Sequence, residues 1–495
     1  MIELKEDSNL QKESDMLSVI REMRHFLLIW FGQLVSVSGS GLTNFALDIW
    51  VYERTGSVTQ FALLILCNTL PFVLISPLSG ILVDRWNRRW LMICSDFCAG
   101  LCTLSIAWLY ASDRLEIWHI YIITSAISAF AGIQWPSYNA SITLLVPQKH
   151  LARANALNQL TDACARLVAP ILAAILLGVI ELKGIIIIDF ATMLIALIPL
   201  LFLRFPEVNT KATEKEEASA SGPSSFFLEV SQGLIYLWER PGLFAVVLLM
   251  AVTNFLTGVF DIVAIPLALS LSSVAITGTV FSISCSGLIV GGIAMSIWGE
   301  LRRYINIILI STTLAGLFIA IAGLRSSLLV FTPAAFLFFL VVPVINSSSL
   351  AILQKKVVPN VQGRVFALQG AIATTCLSLG YITAGTLSDQ VFEPLMADNG
   401  MLAGSIGQII GVGTGRGMGL LLIVVGILTM LLSAIAYLYP RLRSVEEELP
   451  DTIPDQTSPL IEEWDGPFPT VMDDNGAVPL ININPSSFAK TEKNP

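Results

Sequence analysis

Hydrophobic and polar residues are segregated into blocks along this chain. Apolar runs lie at 26–52, 58–83, 90–112, 118–144, 153–180, 184–204, 242–269, 274–298, 305–324, 327–352, 365–388 and 418–439. A helix needs roughly 20 apolar residues to cross about 30 Å of hydrocarbon, and every run is long enough. None shows the ten-residue alternation of an outer-membrane barrel. The pattern predicts an all-α integral membrane protein with twelve transmembrane helices, numbered here as spans 1 to 12. Residues 1–25 are mostly polar and precede a full-length run, so span 1 is expected to remain as an anchor after a short N-terminal segment.

One long polar interruption, "PEVNTKATEKEEASASGPSS" (206–225), divides six spans from six and reads as a flexible linker. The two sets echo each other. "LTNFAL" (42–47) returns as "VTNFLT" (252–257), Arg88-Arg89 as Arg302-Arg303, and "VPQKHLARANAL" (146–157) as "VPNVQGRVFAL" (358–368). Matches in the same order at nearly constant offset indicate a duplicated six-helix unit. The repeats are parallel, because each begins and ends on the same side. The expected organisation is a segment 1–25, a bundle 26–205, a linker 206–241, a second bundle 242–440 and an acidic, disordered tail 441–495.

Composition agrees with lipid as the solvent: 54% of residues are hydrophobic and 13% charged, too few to cover a soluble surface of this length. The net charge of -9 belongs to the tail, since residues 446–495 carry eleven acids and two lysines. Membrane-proximal Lys and Arg number eighteen on the side of the termini and five on the other, so both termini are expected in the cytoplasm of a bacterial inner-membrane protein. All seven cysteines lie in apolar runs and read as packing residues. No ATPase motif, catalytic constellation, cofactor or metal set is visible. The chain is expected to be no enzyme, to engage neither nucleic acid nor nucleotide, and to drive uphill movement with an ion gradient. Its expected partners are membrane lipid, protons and an amphipathic small molecule.

Between spans 2 and 3 stands "SGILVDRWNRRWLM" (79–92), charge-rich among apolar runs. Gly80, Asp84, Arg85, Asn87, Arg88 and Arg89 in this spacing resemble the loop signature between helices 2 and 3 of the major facilitator superfamily, with Asn87 where glycine is usual. Asn tolerates a left-handed backbone, which keeps the tight turn feasible. The resemblance covers residues 22–442 and implies the major facilitator fold. It further implies that Asp84 meets the N-terminal end of span 11, near Gly363 and Arg364, where free N–H groups favour an anion, and so latches the halves on the cytoplasmic side. The alternative role of the arginines is to enforce topology.

Within the superfamily the chain is similar to the enterobactin-exporter and macrolide-efflux branch, through "FGQLVSVSGSGLTNFALDIWVYERTGS" (31–57), "PSYNA" (136–140) and "LVPQKHLARANAL" (145–157). It also resembles cyanobacterial permeases encoded beside nonribosomal peptide synthetases, through "AGSIGQIIGVGTGRGMG" (403–419). Antiporters of the superfamily carry spaced glycines in helix 5. Here Ala156, Ala165, Ala169, Pro170, Ala173 and Ala174 stand at the equivalent positions, small but never glycine, and equally suit a close-packing face.

Charges inside a membrane span are costly and suggest function. Arg166 and Asp162 share a face of span 5 at a spacing of four; the pair is either a proton-coupling device or a static ion pair. Asp48 follows Asn44, and Asp261 follows Asn254, on common faces of spans 1 and 7. By the resemblance these helices line the cavity, and Asp48 or Asp261 is a further proton-site candidate. Trp135, Tyr138 and Asn139 of span 4 offer aromatic and amide contacts to a substrate, or core packing. Asp96 and Asp189 read as structural, the former paired with an arginine of the 79–92 loop. The reading is a secondary transporter exporting a large amphipathic compound (a siderophore, peptide natural product or macrolide-like drug) by proton antiport with alternating access. The alternatives are a permease for lysophospholipid or another lipid-like solute, and a non-transporting membrane sensor.

Overall fold

A computed structural model describes residues 21–147, 150–203, 233–298 and 303–448, without side-chain detail at 77–78, 80–81, 83–85, 143, 152 and 359–360. Most of the expected linker and of the acidic tail therefore lies outside the described residues.

Eleven helices among the described residues are long and apolar enough to span a membrane. They are Arg24–Thr55, Val58–Arg85, Arg88–Ala111, Ile117–Leu145, Leu151–Phe202, Pro241–Leu271, Val274–Trp298, Tyr304–Leu324, Leu328–Lys356, Pro359–Leu387 and Arg416–Leu438. The difference from the twelve expected spans arises in Leu151–Phe202, whose 52 residues would measure roughly 78 Å if straight. At Glu181 the backbone leaves helical geometry (φ 55°, ψ -179°), dividing the helix into arms that correspond to spans 5 and 6. The chain folds back there. Gly41 packs against Ala165 and Ala169 before the break, and Gly39 against Asp189 and Thr192 after it, so both arms lie beside span 1.

Packing repeats with a period of six. Span 1 packs on spans 5 and 6, span 2 on 4, and span 3 on 4 and 6. Span 7 packs on 11 and 12, span 8 on 10, and span 9 on 10 and 12. The first six spans meet the last six through span 5 against span 8 and span 2 against span 11, two contacts that the same repeat interconverts. Small residues let these backbones approach. A Cβ on Gly323 would lie 3.0 Å from Leu422 Cβ between spans 9 and 12, and one on Gly32 would lie 3.0 Å from Ala196 Cα between spans 1 and 6.

Leu28, Phe31, Leu74, Ile122, Val179, Phe202 and Leu329 are exposed on these helices, Phe202 and Leu329 to more than 80%. An apolar surface of that extent is the face a membrane covers. Inside, Phe260 and Phe338 are fully buried and pack at 4.3 Å between ring centroids, tying span 7 to span 10.

Two boundaries differ from the sequence reading. Residues 233–238, expected in the linker 206–241, are helical; Leu237 is fully buried and Gly233 packs on the Arg364 backbone at the start of span 11. The tail begins with two docked turns, Pro440–Arg443 and Val445–Glu448, in which Leu442 and Val445 are buried. Apolar side chains at helical spacing anchor both segments, which their overall polarity obscured.

Candidate functional site

A cavity of about 440 Å3 lies among the first six spans. Span 1 supplies Gln33, Ser40, Thr43 and Asn44, span 3 Asp96, span 4 Gln134 and Trp135, span 5 Asp162 and Ala165, and span 6 Asp189. Asn44 and Asp162 are exposed and Gln33, Thr43 and Asp189 buried, so the cavity runs inward from an accessible mouth. Gln134 Nε2 donates to Gln33 Oε1 at 2.9 Å, and Ser40 Oγ donates to Asp189 Oδ1 at 3.0 Å. A smaller cavity of about 40 Å3 occupies the corresponding place in spans 7 to 12 and is lined by Thr253, Asn254 and Thr257. Asn254 Nδ2 is spent on its own helix, donating to the Met250 carbonyl at 2.9 Å.

Asp96 does not pair with the arginines after span 2 whose side chains are described. Arg88 Nη1 donates to the Ala140 carbonyl at 2.8 Å, while Arg89 Nε and Nη2 donate to the Leu200 and Leu201 carbonyls, each at 2.6 Å. The Arg89 bonds brace the end of span 6, where the last carbonyls of a helix lack intrahelical donors, and the Arg88 bond ties span 3 to the last turns of span 4. Asp96 instead meets the Gln33 side chain of span 1 in the cavity wall.

Arg166 is exposed on span 5, within electrostatic range of Asp162 on its own helix and of Asp261 on span 7. The guanidinium thus acts electrostatically on one acid from each set of six spans. Asp48 is partly buried on span 1 and is not part of the cavity wall.

Of the span 4 residues, Trp135 lines the cavity and Asn139 is exposed away from it. Tyr138 is buried, 4% exposed, and its hydroxyl donates to Asn158 Oδ1 at 2.8 Å, joining spans 4 and 5. It does not line the cavity. Ala165 and Ala169 take the close approach of span 1 at Gly41, whereas Pro170 and Ala174 meet span 8 at Gly278. Ala173, fully buried, completes the small-residue face, while Ala156 is exposed.

Asn87 departs from the sequence reading. Its φ of -65° and ψ of 115° are extended, and its side chain accepts from the Arg89 N–H at 3.1 Å. It is the N-cap of span 3, a role that asparagine fills as well as any residue; no left-handed turn is required. Gly80, Asp84 and Arg85 lie on the last turns of the span 2 helix, and their side-chain contacts fall outside the description.

The sequence did not reveal a contact at the opposite face of the bundle. Asp389, in the π-turn Ser388–Phe392 that follows span 11, accepts hydrogen bonds from Ser57 Oγ (2.6 Å), Val58 N–H (3.0 Å) and Thr59 N–H (2.8 Å). Ser57 Oγ in turn accepts from the Gln60 N–H at 3.2 Å. The first three N–H groups of span 2 are therefore all satisfied, two of them by a carboxylate from the other half of the chain. At the start of span 11 the N-cap residue is Val358, whose side chain makes no cap hydrogen bond. Gly385 packs against Thr59 and Ala62 beside the Asp389 contact, so spans 2 and 11 touch at the face away from the termini.

Residues 29–384 match the Major Facilitator Superfamily profile. Macrolide efflux protein A of Streptococcus pyogenes is 27% identical over 380 residues, which is 74% of this chain and 90% of that protein. Its namesake from Enterococcus faecalis is 27% identical over 329 residues, 64% of this chain and 97% of that one. A solved bacterial homolog of the human lysosomal transporter Spinster, inward-facing and unoccupied, shares the fold at a TM-score of 0.61 with 15% identity, covering 86% of this chain and 98% of its own. With its repeat of six spans and its charged loop after span 2, the chain belongs to the major facilitator superfamily.

Proposed function

We propose that this protein exports an amphipathic small molecule from the bacterial cytoplasm by proton antiport, through alternating exposure of a membrane-embedded site. The observation that carries the reading is the cavity of about 440 Å3 among the spans, within the 300–1,000 Å3 of drug-sized sites. Similarity over most of the chain to proteins named for macrolide efflux supports outward movement.

The excess of Lys and Arg on the side of the termini supports a cytoplasmic position for both. On that orientation the contact of Asp389 with span 2 lies at the extracellular face and favours its closure. Arg166, within range of Asp162 and Asp261, supplies the coupling element of the proposal. A proton on either acid weakens its hold on the guanidinium, shifting Arg166 toward the acid that keeps its charge. Because Asp162 and Asp261 belong to different halves, protonation then biases how the halves meet.

The test compares small molecules inside and outside bacterial cells with and without the protein, using Asp84→Asn as the inactive control. Accumulation of one amphipathic compound inside cells that lack active protein supports export and identifies the substrate. Failure of an external compound to enter those cells reverses the direction. In proteoliposomes the substrate should release protons in exchange, and substrate movement that ignores an imposed pH gradient removes the antiport reading.

A further inference from the structure

The loop between spans 11 and 12, at the face away from the termini, holds no acidic or basic residue from Asn399 to Gly415. The charges that flank it turn inward. Glu393 accepts hydrogen bonds from the Gly415 N–H at 3.2 Å and the Met418 N–H at 3.0 Å, and Arg416, 2% exposed, donates through Nη1 to the Ile410 carbonyl at 3.2 Å. Met401 and Ile409, by contrast, are 82% and 81% exposed, and Val412 is exposed as well.

The loop meets most of its own backbone needs. The Leu402, Gly407 and Gly413 N–H groups donate to the Leu395, Leu402 and Met396 carbonyls at 3.1, 2.9 and 3.0 Å, and those of residues 408–411 close short turns. Gly411 and Gly413 permit the tight return, with φ of 93° and 102° that other residues rarely adopt. A loop in open solvent can leave its N–H groups to water, whereas a segment where water is scarce must pair them internally.

Its inner side chains fix its place. Met396 and Ile410 cluster with Leu420, and Leu402 and Ile406 pack on that cluster together with Ile423 and Val424 of span 12. Ile423 stands roughly 10 Å along the helix from Arg416, so the loop covers the flank of span 12 and not only its tip. The next positions at a spacing of four, Ile427, Leu431 and Ile435, are exposed. An apolar stripe of that kind on a spanning helix faces lipid, and the loop sits directly at its end.

We propose that the loop 399–415 is an interfacial membrane anchor, with Met401 and Ile409 inserted into the leaflet at the face away from the termini. Lipid is the occupant of this patch, because the patch continues the exposed stripe of span 12 and offers no charge to a polar partner. The depth is that of the headgroups and the first acyl carbons: irregular backbone is not stable in open hydrocarbon, and Asp398 at the start of the loop is exposed. The turns that lead into the loop also carry Asp389 to span 2 and Glu393 to the start of span 12, so the anchor restrains the element through which the halves touch. The inference rests on the membrane spans alone and not on export.

The experiment introduces the fluorescent amino acid acridonylalanine by codon suppression at Met401, Ile409, Asp398 or Ile427 of the full chain, reconstituted in liposomes of phosphatidylcholine and phosphatidylglycerol. The quenchers are phosphatidylcholine bearing a nitroxide near the headgroup end of one acyl chain, and iodide on both sides of the membrane. The expected result is that the nitroxide lipid quenches the probes at Met401 and Ile409 at least twofold more than the probe at Asp398, and that iodide quenches them at least twofold less. The probe at Ile427 marks full contact with lipid. Iodide quenching at Met401 and Ile409 equal to that at Asp398 places the loop in water and overturns the proposal. Protection of both positions from both quenchers means that protein covers the patch and also overturns it; loss of that protection on dilution to a single chain per liposome identifies the cover as a second copy. A monodisperse elution profile for each labelled chain excludes misfolding as the cause. No substrate enters the assay, so its failure leaves the export reading standing.

Discussion

The carboxylate of Asp389 and the hydroxyl of Ser57 lie 2.6 Å apart across the junction of spans 11 and 2, although 332 residues separate them in sequence. The same carboxylate receives the Val58 and Thr59 N–H groups at the positive end of the span 2 helix. Hydrogen bonds to a charged group contribute about 1.5–3 kcal/mol each, so the cluster is a substantial share of what holds this face shut. Asp389→Ala should therefore favour separation of the halves at this end. Spin labels at Glu53 and Gln390, measured by pulsed electron resonance, should show a longer and broader distance distribution than in the parent chain. An unchanged distribution means that packing at Gly385 alone keeps the face closed.

Asp84 is expected to do the converse at the other end. It ends span 2 where Asp389 follows the end of span 11, and the helix start proposed for it, that of span 11, begins after Val358, which supplies no side-chain cap of its own. Asp84→Asn should leave insertion and folding intact, lower transport at least tenfold, and shift labels across the terminal face toward longer distances. Normal transport by this variant would remove the latch role.

Block hydrophobicity disclosed the spans, and the recurrence of "LTNF" as "VTNF" disclosed the repeat, because both depend on patterns sustained over many residues. Contacts between single polar residues left no such pattern. Asp96 and Asp189 were read as structural because an isolated acid in an apolar run does not name its partner; only the packing of spans 1, 3, 4 and 6 around one space brings them to a cavity. Asp389 escaped notice for the same reason, although Ser57 before "VTQF" was a readable N-cap and an acid after span 11 mirrors Asp84. Asn87 at a position where glycine is usual suggests a tight left-handed turn, whereas its chemistry in the structure is that of a capping side chain. Tyr138 was recognisable as aromatic but not as buried, since its hydroxyl partner Asn158 lies on the next span.

Arg89 illustrates a residue that topology alone would explain but geometry explains better. Its guanidinium donates to the last carbonyls of span 6, at Leu200 and Leu201, the role that basic side chains play at helix ends. Arg89→Ala should lower the unfolding midpoint of the purified protein by several degrees, with loss of roughly 1–3 kcal/mol of local stability. Arg89→Lys should recover only part, because a single ammonium does not reproduce the two-point fork. Equal midpoints for the Ala variant and the parent would restrict Arg89 to setting topology.

Glu446 gives a prediction in pH. Its side chain accepts from the Tyr304 N–H at 2.7 Å, and Lys356 Nζ donates to its backbone carbonyl at 2.6 Å, docking the start of the tail beneath spans 9 and 10. Partial burial pushes the Glu446 carboxyl above the ordinary glutamate value, while hydrogen bonds from the Tyr304 and Ile305 N–H groups and the nearby lysine charges pull it back. The net direction is upward, so the folded protein takes up this proton before the unfolded chain does. Stability contributed by the group is present below the unfolded value and is lost as pH rises through the folded one. Glu446→Gln keeps an acceptor and removes the titration. The parent should therefore gain in thermal midpoint relative to Glu446→Gln as the pH is lowered from 7.5 toward the ordinary glutamate range. Glu446→Ala, which strands the Tyr304 N–H, should fall below both at every pH. A parent-minus-Gln difference that stays constant or grows with rising pH would show that Glu446 binds no extra proton in the folded state.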